Sequence, residues 1–403
     1  MTTVGVIYGG RSVEHDVSIV TAHQIIRAFD REHYEVVPIY ITRDGRWITG
    51  DPLFDLKNHD DEIVSHSGIT PVILSPGAQH HGLIINPLAG RLSKSHIKRL
   101  DVVFPAVHGT HGEDGTLQGL LELADIPYVG CRTLASTVAN DKIMTKDILR
   151  QHHIPVVDDV SFSRAEWLED SEGVIKRITD TLPYPLFIKP ATTGSSIGIG
   201  RATDEELLRT SIDIAAHFDR RILVESAITG HAEINCAVLG AGSNIQASVL
   251  EHPISWDEML TFEEKYLRGS EGMKSAERII PAPLTPELSE RIQQTAIHAF
   301  KAIDGSGTAR IDFLVKPEQN EIYLNEINTM PGSLAFYLWQ ESGIDMTQLV
   351  HQLVGLARET HAEKRRNSYD YRTDLVNLAQ VRGLKGVKGV KNSANPENIN
   401  SRT

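Results

Sequence analysis

The chain has 403 residues, 40% hydrophobic and 23% charged, with a formal net charge of −13. That length holds about two to four domains, the composition is that of an ordinary soluble globular protein, and the acidic balance argues against a general binder of nucleic acid or acidic membranes. The only cysteines, Cys131 and Cys236, fit buried thiols in a reducing compartment; with no basic-then-apolar leader and no apolar run of about 18 residues, neither a signal peptide nor a membrane span is expected.

Val4 to Gly10 reads as a short apolar strand closed by two glycines. The following segment places Val17, Val20, Ile25, Ile26 and Phe29 at helical spacing. Strand, glycines and helix begin an open α/β layer. The glycines let backbone approach a ligand, and the helix N-terminus is positive. The full G-x-G-x-x-G signature is missing, so no dinucleotide site is assigned. Glu14 lies in the turn at the sheet edge, where ligands of such folds bind; an acidic residue there also favours the helix N-terminus. Glu35 to Ile41 is the next strand. Residues 47–99 hold short apolar runs, Gly, Pro and scattered histidines, among them His80 and His81, which read as solvated loop residues. Asp101 to Gly109 is a strand running into a Gly-rich loop and a helix. His108 and His111 are not fixed on one helix face, so they do not make a zinc pair. The first unit closes near residue 130.

The second unit begins with a helix bearing Lys142 and Lys146 at i, i+4, and Lys146 reads as part of a solvated basic face. Lys189 ends an apolar strand. The loop after it, with Gly194, Gly198 and Gly200, can wrap backbone N–H groups around phosphate or serve as a hairpin turn. Thr203 is read as the N-cap of the next helix. In the third unit two strands flank a Gly-Ala-Gly-Ser-Asn turn. Ser255 to Ala276 then has little periodicity; a stretch of that length is usually a functional lid, and it holds Lys265 and Tyr266.

Ala309 to Gly332, ARIDFLVKPEQNEIYLNEINTMPG, reads as a hairpin with a polar turn. Pairing about Gln319 sets Asp312 opposite Glu326 and Arg310 opposite Asn328. Strand side chains alternate with period two, so all four share one face. Two carboxylates and an amide supply oxygen ligands for Mg²⁺, whose shell is normally completed by substrate phosphates and water. Arg310 suits a phosphate or an oxyanion. A surface ion network is the competing explanation of the same face. Asp345 to Arg366 is the last clear helix; the polar tail beyond it is expected to be mobile.

The words GGRSVEHDVS, HGTHGEDGTLQGLLE, PYVG, DKIMTK, PLFIKP with GSSIGIG, VESAITG, FEEKY, and ARIDF with LNEINTMPG follow one another along the chain. In these words and their order it resembles the D-alanine–D-alanine ligase family of the ATP-grasp superfamily. The resemblance implies an α/β and α+β, three-domain ATP-grasp fold with an N-terminal open parallel sheet. Its divisions would be residues 1–130, 131–228 and 229–366, with 367–403 as the tail. It implies a cytoplasmic homodimeric ligase, with no nucleic-acid or membrane partner, that joins two D-alanines through a D-alanyl phosphate for peptidoglycan synthesis. ATP would lie between the second and third units, with two Mg²⁺ ions, replaceable by Mn²⁺, on Asp312, Glu326 and Asn328.

By the same resemblance, Lys142 and Lys189 would contact ATP phosphates under the Ser195–Ser196 loop. Glu225, Ser226 and Ile228 would sit at the adenine. Glu233 would meet the ribose, although it stands one residue further from Glu225 than the family pattern has it. Lys265 would reach in from the lid. Glu14 would hold the amine of the first D-alanine, with His108 nearby, and Tyr266 would latch to Ser195 and Glu14. Arg310 and the Gly332 N–H would face the oxyanion. The chain departs from the pattern after Gly332, where Ser333–Leu334 follow at once; either Ser333 or the Tyr337 hydroxyl would then meet the acceptor carboxylate. Phe336, Tyr337 and Trp339 line a pocket or form the core face of a helix, the latter being the assignment for Trp339. A tyrosine at 266 implies dipeptide formation rather than D-lactate transfer. The alternatives are a D-Ala–D-lactate or D-Ala–D-serine ligase and a non-catalytic ATP-binding regulator.

Overall fold

The structure, a computed structural model, describes the chain apart from residues 61, 89–93, 255–277, 370–372 and 383–403. It divides into two compact units, Met1–His361 and Ala362–Thr403.

The larger unit contains three sheets. The first is formed by β1 (Thr2–Gly9), β2 (Tyr34–Ile41), β3 (Trp47–Thr49), β4 (Thr70–Leu74), β5 (Gly82–Ile85), β6 (His96–Arg99) and β7 (Val102–Pro105), in the order β6-β5-β4-β3-β2-β1-β7. Only β2, β1 and β7 run parallel; the strands from β2 out to β6 pair antiparallel. The expected parallel sheet is therefore a mixed one. Residues 47–99, read only as short apolar runs with Gly, Pro and histidines, supply its antiparallel half. Their strands are three to five residues long, too short for alternation to register, and short connections favour antiparallel neighbours. Helix α1 (His15–Ala28) is the crossover between β1 and β2 and buries Ile19, Ala22, Ile25 and Ile26. The turn into it requires glycine: Gly9 has φ +85°, and a Cβ there would lie 2.2 Å from the Ile41 carbonyl oxygen.

Helices α2 (Thr116–Ala124), α3 (Thr133–Asn140) and α4 (Lys142–Gln151) lead into the second sheet. Its strands are β8 (Asp159–Ser163), β9 (Leu186–Pro190), β10 (Gly200–Ala202) and β11 (Arg221–Ser226), in the antiparallel order β10-β9-β11-β8. Helices α5 (Arg164–Glu169), α6 (Ser171–Thr181) and α7 (Glu205–Phe218) surround it. The cap of α7 is Asp204, whose carboxylate accepts from the Leu207 N–H, and not Thr203. The helix starts one residue later than expected, with a carboxylate on its positive end.

The third sheet is β14-β13-β12-β15-β16, from β12 (Ala232–Ala241), β13 (Asn244–Pro253), β14 (Arg278–Ile279), β15 (Ser306–Lys316) and β16 (Glu321–Asn328). Helix α8 (Pro286–Ala302) covers it with Leu288, Ile292, Ala296 and Phe300. Helices α9 (Phe336–Glu341) and α10 (Met346–Lys364) follow. One apolar cluster joins Val4, Tyr8, Ile25 and Phe104 of the first sheet and its helix to Leu239, Leu334 and Trp339. Trp339, 1% exposed, is core, as its spacing suggested. This shared core holds the end of the β15–β16 hairpin against the turn that carries Glu14. In the smaller unit, helix α11 (Leu375–Arg382) is described.

Candidate active site

The hairpin pairs as its pattern predicts, with Arg310 opposite Asn328 and Asp312 opposite Glu326. Just beyond them the register shifts, so Phe313 faces Leu324 and Asn325 is the extra residue. Such a bulge re-aims side chains, and here both Asn325 and Glu326 face one cleft of about 420 Å³. The same row continues across two more strands: Asn235 on β12 pairs with Asp312, and Glu251 on β13 pairs with Asn235. Glu251, Asn235, Asp312 and Glu326 thus form a polar line across four strands, and all of them line the cleft.

The groups in this line hold one another. Arg310 donates to Asp312 through Nε and Nη2, both at 2.7 Å. Asn328 Nδ2 donates to Asp312 Oδ2 at 3.0 Å and Glu326 Oε1 at 3.3 Å. Burial raises the Asp312 carboxyl to about 6 even with Arg310 beside it. Burial opposes ionisation of Glu326 too, but the charges of Lys142 and Arg310 outweigh it and hold its pKa below the ordinary value. Among the described residues no group of three or more His, Cys, Asp or Glu side chains has metal-binding geometry. Two converging carboxylates and an amide nevertheless suit a hard cation that takes its remaining oxygens from phosphate and water.

Two lysines line the same cleft. Asp141 caps α4, accepting from the Ile143 and Met144 N–H groups, and so fixes Lys142 at its first position. Lys142 Nζ donates to the Thr193 carbonyl at 2.8 Å; burial lowers its pKa, although Glu326 favours its charge. Lys189, from β9, meets Glu225 Oε2 at 2.5 Å and Asn325 Oδ1 at 3.4 Å. Ser195 and Ser196 both adopt positive φ, 52° and 59°, and the Ser195 hydroxyl donates to Glu14 Oε1. Glu14, Lys142, Lys189, Ser195, Ser196 and Glu233 all line the cleft.

Lys146 corrects the expectation of a solvated face. Its side chain is 3% exposed and meets Glu225 Oε1 at 2.5 Å and Asp159 Oδ1 at 3.6 Å, and it donates to the Val157 carbonyl at 2.9 Å. One turn after Lys142, it points to the same side, but into the packed base of the cleft. Glu225 therefore carries two ammonium groups. Burial alone would raise its pKa, and Lys189 and Lys146 instead bring it down to about 2. Burial lowers the Lys146 pKa, although Glu225 favours its charge.

Other expected residues stand back from the cleft. Glu225, Ser226 and Ile228 are not among its lining groups; the Ser226 N–H donates to the Asp158 carbonyl, and the Ile228 carbonyl faces His231 Nδ1. His108 is buried between Thr21 Oγ1, 3.0 Å from Nε2, and Glu113 Oε1, 3.2 Å from Nδ1. Gly332 begins a tight turn in which Ser333, Leu334 and Ala335 all have positive φ, 51°, 58° and 49°. The Ser333 N–H donates to Thr21 Oγ1 at 3.2 Å. Tyr337, by contrast, lines the cleft, and its hydroxyl donates to Glu251 Oε2 at 2.8 Å. Lys265 and Tyr266 lie outside the described residues. Sequence reasoning passed over Asn235, Glu251, Arg278 and Asn325. The available signal for Asn235 and Glu251 was a polar residue directly after apolar ones, Ile234 in the first case and Val249 and Leu250 in the second, at positions that the fold buries.

Residues 148–355 match the family described as D-ala D-ala ligase C-terminus, and residues 3–131 the family described as D-ala D-ala ligase N-terminus. The chain belongs to the D-alanine–D-alanine ligase family. It is 40% identical over 374 residues to the D-alanine–D-alanine ligase of Natranaerobius thermophilus, covering 91% of this chain and 98% of that one. Among solved structures, the D-alanine–D-alanine ligase from Coxiella burnetii is similar with TM-score 0.75 and 32% identity, covering 95% of this chain and 100% of that one. The VanG D-Ala:D-Ser ligase from Enterococcus faecalis is similar with TM-score 0.75 and 30% identity, over 88% of this chain and 99% of that one. The ligase from Bacillus anthracis complexed with ATP has TM-score 0.64 and 25% identity, over 90% and 100%. These ligases share the ATP-grasp fold with this chain, and nothing in the comparisons points to a non-catalytic regulator.

Proposed function

We propose that the chain joins two D-alanines with ATP, through a D-alanyl phosphate, in the synthesis of peptidoglycan precursors. The observation that carries this is the single cleft onto which Lys142 and Lys189, the Gly/Ser loop, and the Arg310–Asp312–Glu326–Asn328 face all open. We divide the chain at residues 1–130, 131–228 and 229–366, a reading supported by one sheet lying within each range. Lys142, Lys189 and the 195–196 loop take the ATP phosphates, and Glu225, Ser226, Ile228 and Glu233 border the nucleoside. Asp312, Glu326 and Asn328 are the residues to hold Mg²⁺, which offsets charge on the transferring phosphoryl group. Glu14, held by Ser195, takes the ammonium of the first D-alanine.

A carboxylate oxygen of that D-alanine attacks the γ-phosphorus, giving D-alanyl phosphate and ADP. The second D-alanine attacks the carbonyl carbon through its neutral amine. The tetrahedral intermediate expels phosphate, and the nitrogen loses its remaining extra proton. Arg310 and the Gly332 N–H serve the oxyanion, a type of contact worth about 3–4 kcal/mol. Lys265 and Tyr266 close the site by analogy with the family. A cytoplasmic homodimer completes the proposal; among the described residues no helix is long and apolar enough to cross a membrane.

The test is product identification from ATP, Mg²⁺ and a panel of D-amino and D-hydroxy acids. D-Ala–D-Ala is the expected main product, and mainly D-Ala–D-lactate near neutral pH would overturn the assignment. Likeness to a D-Ala:D-Ser ligase favours D-serine as the second acceptor to include.

A further inference from the structure

The acceptor needs an anchor for its carboxylate, and the loop after Gly332 does not present one to the cleft. Three successive left-handed residues turn Ser333 and Leu334 away. Leu334 is fully buried, the Ser333 N–H is taken by Thr21, and neither residue lines the cleft. The Tyr337 hydroxyl does face it, but is already donated to Glu251.

The cations that line the cleft among the described residues are Lys142, Lys189, Arg310 and Arg278. The two lysines stand at the Gly/Ser loop, and Arg310 is held by both oxygens of Asp312. Arg278 differs. Its guanidinium lies over the Tyr337 ring, 4.2 Å from the centroid. Its Nε faces Glu251 Oε1 at 3.4 Å, and its side chain is 39% exposed. Arg278 thus meets Glu251 through Nε and lines the cleft, and a guanidinium has two further nitrogens for a second partner. Glu251, 1% exposed, is itself fixed by Tyr337 and by Asn235 Nδ2 at 3.1 Å. Arg278 thus has a ring beneath it and a buried carboxylate behind it, the arrangement that orients a guanidinium for a bidentate contact.

We infer that Arg278, supported by Tyr337 and Glu251, receives the carboxylate of the acceptor amino acid and so sets acceptor specificity. The ligand class is a small D-amino acid with a free α-carboxylate. The inference rests on the proposed ligase reaction. It makes Arg278 the group that touches substrate, and Tyr337 and Glu251 positioning residues. Burial raises the Tyr337 hydroxyl to about 12, so it remains a donor to Glu251 throughout the working pH range.

The test sets D-alanine against D-alaninamide as competing acceptors, with both products measured by mass spectrometry. In parallel, hydroxylamine traps the D-alanyl phosphate as a hydroxamate, which reports the first half-reaction without any acceptor carboxylate. Wild-type enzyme should strongly prefer D-alanine. Arg278→Gln should lower that preference roughly 10- to 100-fold, the loss of a charge-assisted contact, and lower hydroxamate formation much less than dipeptide formation. Arg278→Lys should fall between, keeping charge and losing the fork. Tyr337→Phe, which keeps the ring, should lower the preference less than Tyr337→Leu. An unchanged preference in Arg278→Gln, or loss of hydroxamate in step with dipeptide, overturns the inference. If Arg278→Gln fails to fold, Arg278→Lys with unaltered preference, or a wild type that does not discriminate, overturns it equally. A wild type that forms no hydroxamate defeats the proposed reaction instead.

Discussion

Removing Lys146 separates a buried network from a surface charge. Lys146→Met keeps length and apolar volume while deleting the ammonium that meets Glu225 at 2.5 Å, Asp159 at 3.6 Å and the Val157 carbonyl at 2.9 Å. Breaking a buried pair on one side costs about 3–5 kcal/mol, because the partner charge is left in a poor solvent. Lys189 still meets Glu225 and Arg150 still meets Asp159, so the lower end, about 3 kcal/mol, is expected. The assay is urea unfolding followed by the fluorescence of Trp167, buried in the same subdomain core, with Lys176→Met as the control. Lys176 pairs with Asp180 at the surface, and such a pair contributes little. Adding Glu225→Gln to Lys146→Met should recover part of the loss, since the buried Glu225 charge is then gone and Asp159 keeps Arg150. ATP affinity should weaken too, by about tenfold or ~1.4 kcal/mol, because Glu225 then draws on Lys189 alone. Equal unfolding midpoints for Lys146→Met and Lys176→Met would refute the reasoning.

Glu225 also sets an acid limit. Its folded pKa is depressed, so its contribution is complete above the ordinary value of 4.5 and is lost as pH falls towards about 2; acid unfolding should begin at higher pH in Lys146→Met. Glu326→Ala should lose nearly all turnover while keeping a wild-type circular dichroism spectrum, and full activity at saturating Mg²⁺ would remove it from the metal set. Thr21→Val should destabilise by about 1–2 kcal/mol, because Thr21 serves both His108 and the Ser333 N–H; it should raise KM for D-alanine more than KM for ATP, read from initial rates with each substrate varied.

Much of this site was legible because strand geometry is regular. Once ARIDFLV and EIYLNEIN were read as a hairpin, a period of two brought Arg310, Asp312, Glu326 and Asn328 together, and their register is as expected. The bulge at Asn325 was not legible, since one inserted residue leaves no mark in an apolar alternation. Nor was the antiparallel half of the first sheet. Its strands are too short for periodicity, and their partners are fixed by tertiary packing rather than by local propensity.

The misread lysine and the overlooked arginine have a common cause. A charge on one element is classed as solvated unless its partner is in view, and these partners lie far along the chain. Lys146, on helix α4, is held by Glu225 and Asp159, from two strands of the second sheet. Arg278 is held by Glu251 and Tyr337, from β13 and α9. Local periodicity could not class either correctly. What was visible was the other half of each pair: Glu225 follows Ile222, Leu223 and Val224, and Glu251 follows Val249 and Leu250, and a lone carboxylate that such a segment carries into the interior is costly. A carboxylate embedded in an apolar strand therefore demands a cation from elsewhere. Searching for that cation would have drawn Lys146 and Arg278 into the site before any fold was known.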